Sequence, residues 1–196
     1  MKFKFFITLL ISSLSVFAQT DKDALFKADI DEIVEKLEFM YGYDQTLREY
    51  IYYKSFDKCK TDSIEATNNQ NKRLISSSLE LTIWKLYINP MDSIHTKELI
   101  SITKKYGFPS TKRIKKYYKK GFVNPEFNPA VIFIHSPKIY WEELKVLMKS
   151  ELDEGRVDRC TYGFMLWHLN GRHDWKNLLD NGYIMEGNEL KAIDCN

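Results

Sequence analysis

The chain has 196 residues, 44% of them hydrophobic, 29% charged and 14% aromatic. Those fractions fit one globular domain and exclude a disordered or collagen-like chain. The formal charge is +2, and Lys2 and Lys4 supply all of it from a stretch expected to be removed, so the remaining chain is neutral and excludes general nucleic-acid binding through its overall field.

Residues 1–18 read MKFKFFITLLISSLSVFA. Lys2 and Lys4 form a positive n-region, Phe5 to Leu14 an apolar h-region, and Val16-Phe17-Ala18 a small-residue cleavage site. This predicts a signal peptide cut after Ala18, with residues 19–196 as one exported domain, periplasmic or extracellular. The apolar run is shorter than the roughly 20 residues that span a bilayer, and serines break it. No Cys follows it for lipid attachment. No later stretch is apolar and long enough to cross a membrane.

The fold expected is mainly α, with about six helices and a small C-terminal β-hairpin. Phe26, Ile30, Ile33, Val34, Leu37, Met40 and Tyr41 follow the 3.6-residue period of an amphipathic helix with an acidic outer face. Gly42 interrupts that pattern, which resumes through Leu47, Tyr50 and Ile51 and fades near Phe56. Thr61, Asp62 and Ser63 offer caps for a second helix carrying Leu74, Ile75, Leu79, Ile83, Trp84 and Leu86, which must stop before Pro90. Asp92 is the expected N-cap of a third helix with Ile94, Leu99 and Ile102, closed by Gly107 ahead of Pro109.

Residues 110–126 read as irregular. Ala130 to Ile134 also fit a strand, but the Asn128-Pro129 start favours a short buried helix. Ser136-Pro137 repeats that signature ahead of a helix with Trp141, Leu144, Leu147, Met148 and Leu152 on one face, ended by Gly155. A last helix runs from about Asp158 to Leu169. Gly187-Asn188 centres the hairpin over residues 183–193.

Cys59, Cys160 and Cys195 allow three single pairings in an oxidising compartment. Cys160, in an apolar helical segment, reads as a candidate buried free thiol. A bridge at Cys195 would tie down a tail. The pairing stays open.

Several motifs stand in order: Tyr43-Asp44-Gln45-x-x-Arg48, then Asp92, then Tyr106-Gly107-Phe108-Pro109, then Ile132-Phe133-Ile134-His135-Ser136, then Glu154-Gly155. Over roughly residues 38–170 this resembles a bacterial family of exported domains of unknown function. That family has an Asp-Gln-x-x-Arg, a Gly-aromatic-Pro and an apolar run ending in His. It also carries an Asp-Arg pair in the last helix and a later Tyr-Gly-Thr-Gln. Here Trp167-His168 stands at the first place, and the second motif is absent from the sequence. The resemblance implies a domain assignment and no particular reaction.

Asp44 and Arg48 are four apart and Gln45 and Arg48 three apart, so all three share a helix face. They make either a plain surface ion pair or the polar wall of a pocket, with Arg48 as an anion fork. His135 ends an apolar run directly before a helix start, whose partial positive charge disfavours imidazolium. It is therefore a candidate general base, or a buried His satisfied by Asp44, Gln45, Asp92 or a carbonyl. Asp92 is a cap first and a ligand-binding carboxylate second. Asp92-x-x-His95 is a weak metal pattern, and His168 and His173 are not a one-face pair. No metal or other cofactor is expected. Phosphate-loop and nucleophile-elbow patterns are absent from the sequence.

Between 104 and 120 the chain has eight basic residues and no acidic one, interleaved with Tyr and Phe. Lys112, Arg113, Lys115 and Lys116 are candidate contacts to phosphate, anionic lipid or acidic glycan. The alternative is a solvated segment balancing the acidic first helix. Two functions follow. The first is a binding or interaction module for an anionic small molecule, glycan or membrane surface. The second is a metal-independent hydrolase-like enzyme using His135 as base, Asp44 or Gln45 to orient it, and Arg48 to hold an anionic group.

Overall fold

The apolar spacing of the first segment makes one long helix. In the computed structural model, which describes residues 22–55 and 75–195, helical turns at 22–28 lead into α1, Ile30–Ser55. Phe26, Val34 and Leu37 are fully buried along it. Gly42 does not interrupt the helix, contrary to the sequence reading. Packing on both sides of the glycine outweighs its propensity cost of about 1 kcal/mol.

The next helix also departs from expectation. α2, Ser77–Ile83, is capped by Ser76, whose hydroxyl accepts from the Leu79 N–H at 3.2 Å. It does not stop before Pro90. It widens into a π-helical turn, Trp84–Ile88, and continues as α3, Asn89–Tyr106. The Asn89 N–H bonds back to the Trp84 carbonyl, five residues away. Pro90 has no N–H and its ring would strike the carbonyl four residues back, and a widened turn relieves both problems. Asp92 is therefore in the first turn of α3 and is not its N-cap. Leu79, Leu86 and Ile94, expected to face inward, are exposed. Leu99 and Ile102 are buried as expected.

Gly107, at φ +78°, ends α3. The segment expected to be irregular contains α4, Thr111–Tyr117, capped by Ser110. α5, Ala130–Ile134, is the short helix read from Asn-Pro, with Ala130, Ile132 and Phe133 buried. A 3-10 turn, Lys138–Tyr140, precedes α6, Trp141–Asp153, so α6 starts later than Ser136-Pro137 implied. Asp158 caps α7, Arg159–Leu169, with its carboxylate accepting from the Thr161 N–H at 2.8 Å. α8, Lys176–Leu179, leads to the hairpin of β1, Tyr183–Glu186, and β2, Glu189–Ala192, whose antiparallel register pairs Tyr183 with Ala192 and Glu186 with Glu189.

α1 packs against α3, α4 and α5, while α7 packs against α5, α6 and α8. Phe26, Leu37, Leu99, Phe108, Ile114, Phe133, Leu144, Met148 and Met165 form the main core. Ile51, Ile75, Ile83 and Ile88 make a second cluster, with Leu47 and Trp84 against it. Cys160 is not a free thiol: it is bonded to Cys195. Among the described residues, no helix is long and apolar enough to cross a membrane. The predicted signal peptide, Cys59, Phe56, the Thr61/Asp62/Ser63 cluster and Leu74 lie outside the described residues.

Candidate functional site

The i, i+3 and i, i+4 spacing in α1 sets Asp44, Gln45 and Arg48 on one face, and the fold brings two distant residues onto it. Asp44 is 4% exposed. Its carboxylate accepts from Arg48 Nη1 at 2.5 Å and from Gln45 Nε2 at 2.5 Å. His135 Nδ1 lies 3.0 Å from both of its oxygens. A carboxylate oxygen can only accept, so Nδ1 carries the hydrogen and donates.

Arg48 turns its other terminal nitrogen to α3. Nη2 donates to Asp92 Oδ1 at 2.9 Å and to Oδ2 at 2.8 Å. The guanidinium also sits 5.4 Å from the centroid of the Trp84 ring. The π-helical turn before Pro90 thus carries Trp84, and the helical turn after it Asp92, to the same arginine. Arg48 lies between two carboxylates and ties α1 to α3. It acts here as a clamp, and its charge is already matched within the protein.

His135 sits at the C-terminal end of α5, with φ −92° and ψ 2°. The expected helix start directly behind it is displaced to the 3-10 turn and α6. The neighbour that governs its ring is therefore the Asp44 carboxylate. The Ser136 hydroxyl is buried without a partner among the described residues, and the Ser136 carbonyl accepts from Trp141 Nε1 at 2.9 Å. Of the His135 side chain, 28% is exposed. Its Nε2 has no hydrogen-bond partner among the described residues.

Burial shifts the groups around this pair. Asp92 is pushed above the ordinary carboxyl value by desolvation, against the opposing hydrogen bond and charge of Arg48. His95, buried, is pushed down by desolvation, with Asp44 opposing. Its ring packs edge-on against Tyr43 at 5.6 Å, and its Nε2 is buried without a partner among the described residues. His168 is pushed down to about 4 by desolvation first, then by the charges of Arg172 and His135. It lies edge-on to Phe164 and Trp167, and Trp167 stacks on Trp175 at 5.3 Å. Shifted groups of this kind gather at functional sites, and also in structural ion-pair networks.

The basic segment separates from this cluster. Lys104 pairs with Glu143, Lys105 with Asp29 and Lys120 with Asp31, so part of it balances acids on and just before α1 and on α6. Arg113 is buried against Asp23, at 3.0 and 2.6 Å, and over the Phe26 ring. Lys112, Lys115 and Lys116 are exposed on α4 with no carboxylate partner among the described residues. Lys112, Arg113 and Lys116 line a cleft of about 620 Å3, whereas the space enclosed by Asp44, Arg48, Asp92 and His95 leaves no room for a water molecule.

Among the described residues, the one grouping with metal-ligand spacing is Asp158, Cys160 and Cys195, and both sulfurs there are in the disulfide. Asp92 and His95 join no such group among the described residues.

One residue and one ion pair went unread in the sequence. Trp84 looked like a core residue of an ordinary helix. Glu151 and Arg156 form a buried ion pair, at 2.5 and 3.0 Å, and Glu151 also accepts from the Phe108 N–H at 2.7 Å. The Glu-x-x-x-x-Arg spacing across Gly155 is too loose to have signalled that pair. Compared with known protein families, characterised proteins and solved structures, the chain matches none.

Proposed function

We propose that this chain is an exported hydrolase-type enzyme in which His135 Nε2 is the general base and Asp44 positions it. The observation that carries this reading is the Asp44–His135 pair. A buried carboxylate takes the Nδ1 hydrogen, so in the neutral ring the Nε2 lone pair is free, on a side chain that reaches solvent. A base fixed through its far nitrogen by an orienting group is the arrangement that general-base catalysis needs.

In this reading Nε2 takes a proton from water as the oxygen attacks an acyl or phosphoryl centre, and returns it to the leaving group. Gln45 and Arg48 hold Asp44, and Asp92 holds Arg48. The basic side chains of α4 support a separate binding role, taken up below. The leader-like residues 1–18 and the Cys160–Cys195 bridge support export to an oxidising compartment.

The test is a panel of chromogenic carboxylic esters, amides and phosphoesters with the mature protein, His135→Ala and Asp44→Asn. At least one class should be hydrolysed, with a loss of at least about 100-fold in kcat on His135→Ala. Asp44→Asn should lose activity while keeping its circular dichroism. No hydrolysis across the panel, or activity that survives in folded His135→Ala, would contradict the reading.

A further inference from the structure

A cleft of about 620 Å3 opens between α4, the turn joining α6 to α7, and Cys195. Five of its side chains are cationic: Lys112, Arg113, Lys116, Arg156 and Arg159. Among the described residues, the two acids that line it are already bonded. Asp23 is bound to Arg113, and Asp158 caps α7 while accepting from the Thr161 hydroxyl at 2.8 Å.

The floor is built from two buried arginines. Arg113 and Arg156 are each 7% exposed. They meet at Gly107, where φ is +78° and an added Cβ would come within 2.3 Å of Arg156 Cδ and 3.2 Å of Arg113 Nη1. A side chain at this position would collide with the Arg156 stem and strain the backbone. Arg113 Nη1 donates to the Gly107 carbonyl at 3.0 Å, and Arg156 donates to Glu151 at 2.5 and 3.0 Å. Asp23 and Glu151 thus match the floor charge.

The rim is different. Lys112 and Lys116 are exposed with no carboxylate partner among the described residues, and Arg159 pairs with the exposed Asp194 at 2.8 Å and donates to the Asp180 carbonyl at 3.3 Å. Two ammonium groups without a carboxylate partner among the described residues, that of Lys116 lying 4.8 Å from the Tyr117 ring centroid, stand beside a concave space whose volume is in the range of sites for whole small molecules.

We infer that this cleft binds a small soluble phosphate or sulfate ester, with Lys112, Lys116 and Arg159 contacting the anionic group. Ammonium groups bind such oxyanions as point charges, and guanidinium groups do so as forks. The site is independent of His135.

The probes are glucose 6-phosphate and inorganic pyrophosphate, with glucose as the neutral control, titrated calorimetrically into the mature protein. Both anions should bind saturably and glucose should not. Affinity should fall as sodium chloride rises. The Lys112→Gln/Lys116→Gln protein changes only exposed side chains, and its circular dichroism checks the fold. It should bind about tenfold or more weakly, while His135→Ala should bind like wild type. The inference is overturned by no saturable heat with either anion, by equal affinity in the double variant, or by binding confined to phosphatidylglycerol vesicles.

Discussion

At the residue scale, Asp44 organises the candidate site, and it was only half legible. Its partners Gln45 and Arg48 follow from helical spacing. Asp92 and His135 meet it across 44 and 91 residues of sequence, at Arg48 and Asp44 respectively, and no local pattern carries such contacts. His135 was visible as a lone polar residue ending an apolar run, yet the reason given for its state, a helix start, was displaced along the chain. The two suppressed histidines make a pH prediction. In the unfolded chain His95 and His168 take up protons below the ordinary 6.5, while in the fold both resist, His168 down to about 4. The unfolded state therefore binds more protons in that window, and stability falls as pH drops from 6.5 toward 4. Asp92, raised above 3.8, works in the opposite sense at the acid end. Urea midpoints at pH about 7 and about 5 should show the fall, and His168→Gln should reduce it. A midpoint that rises on acidification would contradict this assignment.

At the element scale, apolar periodicity placed α1 well because it buries a continuous face, and the Asn128-Pro129 start placed α5. It failed where backbone chemistry had a second solution. Pro90 read as a stop, and a π-helical turn carried the helix past it. The detour matters for the site, since it sets Trp84 and Asp92 on Arg48. Gly42 read as a break, although the helix on both sides was strong enough to pass through. Gly42 is exposed, with nothing within 4 Å of an added Cβ. Gly42→Ala should therefore stabilise the protein by about 0.5–1 kcal/mol, read from the urea midpoint at unchanged slope. A loss of stability would mean that α1 is bent or open at that point.

At the scale of the whole molecule, the helical class and C-terminal hairpin were legible from composition, caps and turn residues. The closure of the chain was not. Three cysteines left three pairings, and only the fold brings Cys195 back to Cys160. The bridge spans 35 residues and holds the end of the chain against α7. A loop of that length contributes about 4 kcal/mol on the chain-entropy account. Cys160→Ala/Cys195→Ala should lower Tm by about 10 °C, and added reductant should do the same to wild type. An unchanged Tm would mean that the C-terminal hairpin is held without the bridge.

The central claim is that Asp44 fixes His135 with its Nε2 lone pair free. The most direct measurement is the long-range 1H–15N NMR spectrum of the histidine rings in wild type and Asp44→Asn, assigned with His135→Gln. The account predicts that neutral His135 carries its hydrogen on Nδ1 in wild type. It also predicts that this preference is lost, with tautomers mixing, in Asp44→Asn. A hydrogen on Nε2 in wild type, or the same spectrum in both proteins, would contradict it.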